Sequence, residues 1–114
     1  MNDIAADIFL CSLADLDATG AKEISLDDAG VRLPAFVVRW NGRVVGYVNS
    51  CPHARLPLNW KADSFFDLGN TYLLCINHGA FFDVLTGACV RGPCKGQSLR
   101  RVAVRVDGDS VLTA

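Results

Sequence analysis

Asn41-Gly42 is the dipeptide that most restricts what this chain can become. It stands between Phe36–Trp40, where Phe36, Val38 and Trp40 alternate with Val37 and Arg39, and the apolar run Val44–Val48. Alternation with a period of two marks a half-buried strand. A two-residue type I′ turn needs positive φ at both central positions, and Asn-Gly suits it best. The segment is therefore expected to form a tight antiparallel hairpin. Its second strand runs through Asn49-Ser50 straight into Cys51.

The rest of the chain reads in the same short units. A strand within Ile8–Leu16 is expected to pass into a polar connection at Ala14–Asp17. Gly20–Leu26 alternates weakly and precedes a turn at Asp27–Gly30. Ala54–Asn70 is irregular, with Pro57, Trp60, Phe65, Phe66 and Gly69; the aromatics are read as local core. Thr71–Leu74 is a short strand that delivers Cys75. Phe81, Phe82 and Val84 lead to a turn at Thr86-Gly87, and Ala88–Arg91 returns before a rigid loop at Gly92-Pro93. Val102, Val104 and Val106 alternate with Ala103 and Arg105 as one strand, which Asp107-Gly108-Asp109 turns into Val111-Leu112. Short strands separated by Gly- and Pro-containing turns make the fold class all-β, with antiparallel sheets packed face to face.

With 114 residues, the chain suits one domain, 1–114, around one modest core. A formal net charge of −1 gives no basic face for nucleic acid. No apolar run reaches bilayer length, so no membrane association is expected. Met1–Phe9 carries Asp3 and Asp7 and no Lys or Arg, unlike a secretory signal. The cysteines are Cys11, Cys51, Cys75, Cys89 and Cys94. An odd number without an export signal points to reduced thiols or metal ligands and a cytoplasmic location.

Both histidines lie beside cysteines, in Cys51-Pro52-His53 and in Cys75-Ile76-Asn77-His78. A thiolate is a soft ligand for iron or zinc, and neutral imidazole suits both. Each short pair lets one loop present two ligands, and residues 54–74 are enough chain to bring the second loop back beside the first. Cys51, His53, Cys75 and His78 are therefore the candidate metal and cofactor ligands. Two cysteines and two histidines also make a structural zinc set. A classical zinc finger, however, pairs like with like and places its histidines on a helix, whereas here each loop carries one of each.

Cys-X-His followed by Cys-X-X-His resembles the signature of the Rieske [2Fe–2S] family. The similarity extends through CPHARLPL and CINHGAFFDVLTGACVRGP, from about Val44 to Pro93. It implies three antiparallel β-sheets, with a small cluster-binding subdomain over roughly 49–94. It also implies one [2Fe–2S] cluster per chain, with Cys51 and Cys75 on one iron and His53 and His78 on the other. Gly92-Pro93 would cover the cluster from a third side. The chain would then be an electron carrier with no catalytic residues of its own. Its partners would be a flavin-dependent NAD(P)H reductase and a terminal oxygenase or reductase. The alternative is a non-catalytic Rieske subunit of a larger oxidoreductase, such as a nitrite reductase-like complex.

The resemblance also orders the reduction potential. High-potential members carry a disulfide between the two ligand loops and place a Ser and a Tyr hydroxyl near the sulfurs. The matching positions here are Leu56 and Asn77, then Ala80 and Phe82. None offers those groups, so a low-potential ferredoxin type is implied. Arg55 stands where ferredoxin-type members commonly have Gly, and the connection from Asn59 to Asn70 is long for the family. Leu56, Pro57 and Leu58 are expected to contact partners. Cys11, Cys89 and Cys94 are read as buried or incidental thiols, with Cys94 near the cluster.

Overall fold

The computed structural model describes residues 4–28, 30–52, 55–77 and 79–114. Among them are ten strands: β1 (Phe9–Ser12), β2 (Ala21–Asp28), β3 (Val31–Trp40), β4 (Arg43–Val48), β5 (Tyr72–Cys75), β6 (Ala80–Asp83), β7 (Cys89–Arg91), β8 (Arg101–Val102), β9 (Val104–Asp107) and β10 (Ser110–Thr113). They form three antiparallel sheets, in the orders β1-β10-β9, β2-β3-β4-β8 and β5-β6-β7. The all-β, three-sheet architecture is the one expected.

The Asn41-Gly42 hairpin forms as the dipeptide dictates. Asn41 has φ 53° and Gly42 φ 77°, and Trp40 pairs with Arg43 across the turn. The first strand of that hairpin is longer than its alternation suggested. It begins at Val31 and passes through Pro34, which sits opposite Ser25.

Two local readings are corrected. Leu13–Leu16 is a 3₁₀ turn rather than the start of a plain connection. Ser12 caps it: the Asp15 N–H donates to Ser12 Oγ, and the Ser12 N–H donates to Asp15 Oδ2. The alternating segment around Val102–Val106 is two strands in different sheets, not one. β8 pairs with β4 at Gly46 and Tyr47, whereas β9 pairs with β10. The break falls at Ala103, whose carbonyl accepts from the Ala114 N–H at 2.9 Å.

The β5-β6-β7 sheet carries the second and third loops of the site and is joined to the four-stranded sheet by packed aromatics. Phe65 stacks on Phe36 of β3 with centroids 4.0 Å apart and planes within 10°. Tyr47 of β4 donates its hydroxyl to the Val84 carbonyl at 2.6 Å. Its ring lies against Gly87, where an added Cβ would come within 2.7 Å of Cε1. The long connection is therefore structural. Its Phe65 carbonyl accepts from the Leu74 N–H, and its Asp67 N–H donates to the Tyr72 carbonyl, so it lines the edge of β5. Phe65 is buried and Phe66 packs on the same core, as expected; Trp60 is 74% exposed and is not core.

Candidate metal centre

The first loop is closed by a buried asparagine. Asn49, at the end of β4, donates its N–H to the Pro34 carbonyl at 2.9 Å. Its Oδ1 accepts from the Leu58 N–H at 2.8 Å, and its Nδ2 donates to Asn59 Oδ1 at 3.0 Å. One side chain thus joins the entry and exit of the loop holding Cys51. Within it the Cys51 N–H donates to the Leu56 carbonyl, and the Arg55 N–H donates to the Cys51 carbonyl. Cys51 is fully buried. Leu58 is fully buried too, which removes it from the expected contact surface; Leu56 and Pro57 are exposed.

Arg55 has φ 56°, in the left-handed region. A side chain there costs roughly 1–2 kcal/mol that glycine avoids. Glycine, the residue the resemblance implies at this position, would avoid that cost. Arg55→Gly is expected to stabilise the fold by up to about 1 kcal/mol, because glycine also enlarges the entropy of the unfolded chain. Chemical denaturation with an unchanged m-value checks it; a lower midpoint would show that the Arg55 side chain makes a compensating contact.

The second loop joins β5 to β6. Cys75 pairs with Ala80 across it, and the Gly79 N–H donates to the Cys75 carbonyl at 2.9 Å. Cys75 is fully buried. Three hydrogen bonds fasten this loop to the first. The Ile76 N–H donates to the Leu58 carbonyl at 2.9 Å. Asn77 Nδ2 donates to the Pro57 carbonyl at 2.9 Å, and Trp60 Nε1 donates to Asn77 Oδ1 at 2.6 Å. Asn77, where a high-potential member would carry a bridging cysteine, instead joins the loops through its amide. Asn49, Trp60 and Asn77 were not singled out as site residues from sequence. A buried polar residue between a strand and a ligand was the available signal for Asn49.

The third loop follows β7. Gly92 has φ 107°, and a Cβ there would lie 2.7 Å from Ala80 Cα and 3.1 Å from the Gly79 carbonyl oxygen. Gly92 therefore lets the Gly92-Pro93 loop rest directly on the second loop. Cys94 comes with it. Its Sγ is 3.0 Å from Cys89 Sγ. Burial pushes the Cys94 thiol up to about 12, assisted by the hydrogen bond to Cys89 and by the nearby Cys89 and Cys51 thiols. Cys51, Cys75, Cys89 and Cys94 all belong to one buried cluster with Ala80, Phe82 and Leu58. Cys11 lies apart, with Leu16, Val37 and Val111.

The donors suit a metal–sulfur group. Two buried thiols on adjoining loops are soft ligands in a water-poor setting. His53 and His78, the other expected ligands, lie outside the described residues. An apolar rim surrounds the loops: Leu56 is 47% exposed, Ile76 46% and Trp60 74%.

Comparison with known proteins agrees with this geometry. The model of the Rieske [2Fe–2S] domain matches residues 7–106. The ferredoxin of carbazole 1,9a-dioxygenase from Nocardioides aromaticivorans IC177 is 28% identical, with a TM-score of 0.73 over 96% of this chain and 98% of that one. A cyanobacterial plasma membrane Rieske protein from Synechocystis PCC 6803 is 27% identical, with a TM-score of 0.68 over 94% and 98%. A chain in a complex of reduced oxygenase and oxidized ferredoxin in carbazole 1,9a-dioxygenase is 21% identical, with a TM-score of 0.71 over 94% of this chain and 91% of that one, a likeness of fold. No curated protein matches the chain. The cofactor is thus one [2Fe–2S] cluster rather than a structural zinc ion, and the chain belongs to the Rieske [2Fe–2S] domain family.

Proposed function

We propose that this chain is a low-potential Rieske ferredoxin in which Cys51 and Cys75 bind one iron and His53 and His78 the other. The cluster takes up and releases one electron. The chain's own residues hold the sulfur ligands away from water, fasten the two ligand loops together and present an apolar rim. It is an electron-transfer protein, with chemistry on substrates left to a partner. The cluster-binding part is residues 49–94 of a single domain, 1–114.

The observation that carries this reading is the pair of buried thiols on two loops fastened by Ile76, Asn77 and Trp60. Leu56, Pro57, Ile76 and Trp60 surround those loops and suit a small, transient interface. The similarity to a dioxygenase ferredoxin supports an oxygenase as electron acceptor; the donor proposed with it is a flavin-dependent NAD(P)H reductase. Among the described residues no helix is long and apolar enough to cross a membrane. An odd number of cysteines suits a reducing cytoplasm.

A purified chain with two iron and two acid-labile sulfide, and a Rieske-type EPR signal on reduction, supports the reading. Iron bound without sulfide, or zinc in its place, would overturn it. Low potential rests on Ala80 and Phe82, both buried in the core with the thiols and lacking a side-chain donor. Phe82→Tyr is expected to raise the midpoint by on the order of 60 mV, the one-electron equivalent of one hydrogen bond of about 1.4 kcal/mol. Redox titration checks this; an unmoved midpoint would show that the hydroxyl does not reach a cluster sulfur.

A further inference from the structure

Two of the thiols outside the expected ligand set lie against each other. Cys89 Sγ and Cys94 Sγ lie 3.0 Å apart, both buried. The chain between them is already folded back. The Gln97 N–H donates to the Cys94 carbonyl, and the Cys89 N–H donates to the Gln97 carbonyl, each at 2.9 Å. Gly92 takes the positive φ that this turn needs, and Lys95 N–H closes it on the Gly92 carbonyl at 3.2 Å. Among the described residues these thiols join no group of three or more potential metal ligands. Bringing the sulfurs to bonding distance requires a closure of about 1 Å.

We propose that Cys89 and Cys94 form a reversible dithiol–disulfide pair that closes while the cluster stays in place. Closure forms one S–S bond and releases two protons and two electrons. The electrons and protons pass to a two-electron oxidant: a small disulfide, reduced to two thiols, or a diazene, reduced to its hydrazine. With a disulfide, the thiolate of one cysteine forms a mixed disulfide and the second cysteine displaces the external thiol. Val90, Arg91, Gly92, Pro93 and Lys95 are exposed, so only the thin covering of the turn separates the pair from a small oxidant.

The consequence reaches the cluster through the buried core that Cys89 and Cys94 share with Cys51. Closure replaces two S–H groups of that core by one S–S bond. Fewer donors around the sulfur ligands lower the midpoint. The pair thus sets two potentials for one cluster. This second step rests on Cys51 being a ligand, whereas formation of the disulfide does not.

The test uses the holoprotein and a diazene oxidant, diamide, without oxygen. After removal of the oxidant, the chain is denatured with an alkylating agent and its peptides are weighed. The expected result is a linked Cys89–Cys94 species lighter by two hydrogens, with the cluster's visible spectrum retained. The midpoint falls and returns after treatment with a dithiol. Cys89→Ser and Cys94→Ser remove the linked species; the wild-type measurement stands even where a variant fails to fold. Alkylation of both cysteines after prolonged treatment would overturn the proposal. So would Cys94 recovered in a bond to Cys51, or loss of the cluster in step with closure. A linked species with an unmoved midpoint would overturn the coupling to the cluster. Separately, iron retained in a folded Cys51→Ala chain would overturn the ligand reading and leave the disulfide result intact.

Discussion

Cys51→Ala yields a chain that folds but holds no cluster. The backbone bonds that shape its loop survive the substitution, because the Cys51 N–H and carbonyl make them rather than the sulfur. Asn49 still joins Pro34, Leu58 and Asn59. The polypeptide itself loses on the order of 1 kcal/mol, the usual size for a small truncation. Loss of the bound metal removes a further stabilisation, since ligand binding to the native state is linked to folding. Iron and sulfide per chain are expected to fall to near zero, with a lower melting temperature and retained β-type circular dichroism. His53→Ala and His78→Ala are expected to lose the cluster in the same way. Cys11→Ala is the informative control. Cys11 lies with Leu16, Val37 and Val111 in a different part of the core, so its loss leaves iron content unchanged. A Cys51→Ala chain with wild-type iron would show that the cluster uses other ligands.

Gly92→Ala is expected to destabilise the fold by about 2–5 kcal/mol. Two costs combine. Alanine at φ 107° is strained, which contributes roughly 1–2 kcal/mol. Its Cβ would also lie 2.7 Å from Ala80 Cα, a backbone atom held in register opposite Cys75. Relieving that overlap needs movement of a strand or of the third loop, at a typical cost of 1–3 kcal/mol. The movement that relieves it lifts the proline loop off the second ligand loop. Faster cluster loss under mild denaturant is therefore expected together with the lower midpoint of unfolding. Gly96→Ala is a suitable comparison. It also has positive φ, at 95°, but an added Cβ meets nothing within 4 Å, so it carries the backbone cost alone. Equal effects at the two positions would show that the Gly92–Ala80 approach does not matter.

The sequence by itself determined the features whose cause is local. Asn41-Gly42 specifies its hairpin because both residues tolerate positive φ. Cys-X-His and Cys-X-X-His pointed to a ligand set because each spacing is short enough for one loop; of that set the structure describes Cys51 and Cys75, both buried. The leucines of the first loop show where such reading stops. Leu56 and Leu58 are chemically alike and two residues apart, yet Leu58 is buried while Leu56 is 47% exposed. Asn49 decides this by drawing in the Leu58 N–H from nine residues away. The strand around Val102–Val106 fails for a related reason. Its alternation is continuous, but which sheet each half joins depends on β4 and β10, far apart in the chain.

The tertiary structure alone decided how the ligand loops meet and what lies behind them. Asn77 fastens two loops through Pro57 and Trp60, and Phe65 anchors the long connection on Phe36. Gly92 permits the third loop to rest on Ala80, and that contact brings Cys94 against Cys89. These are pairings between segments that sequence order separates. Spacing along a chain records which residues share a turn or a strand face. It does not record which distant surfaces exclude water together, and that exclusion places the buried thiols beside one another.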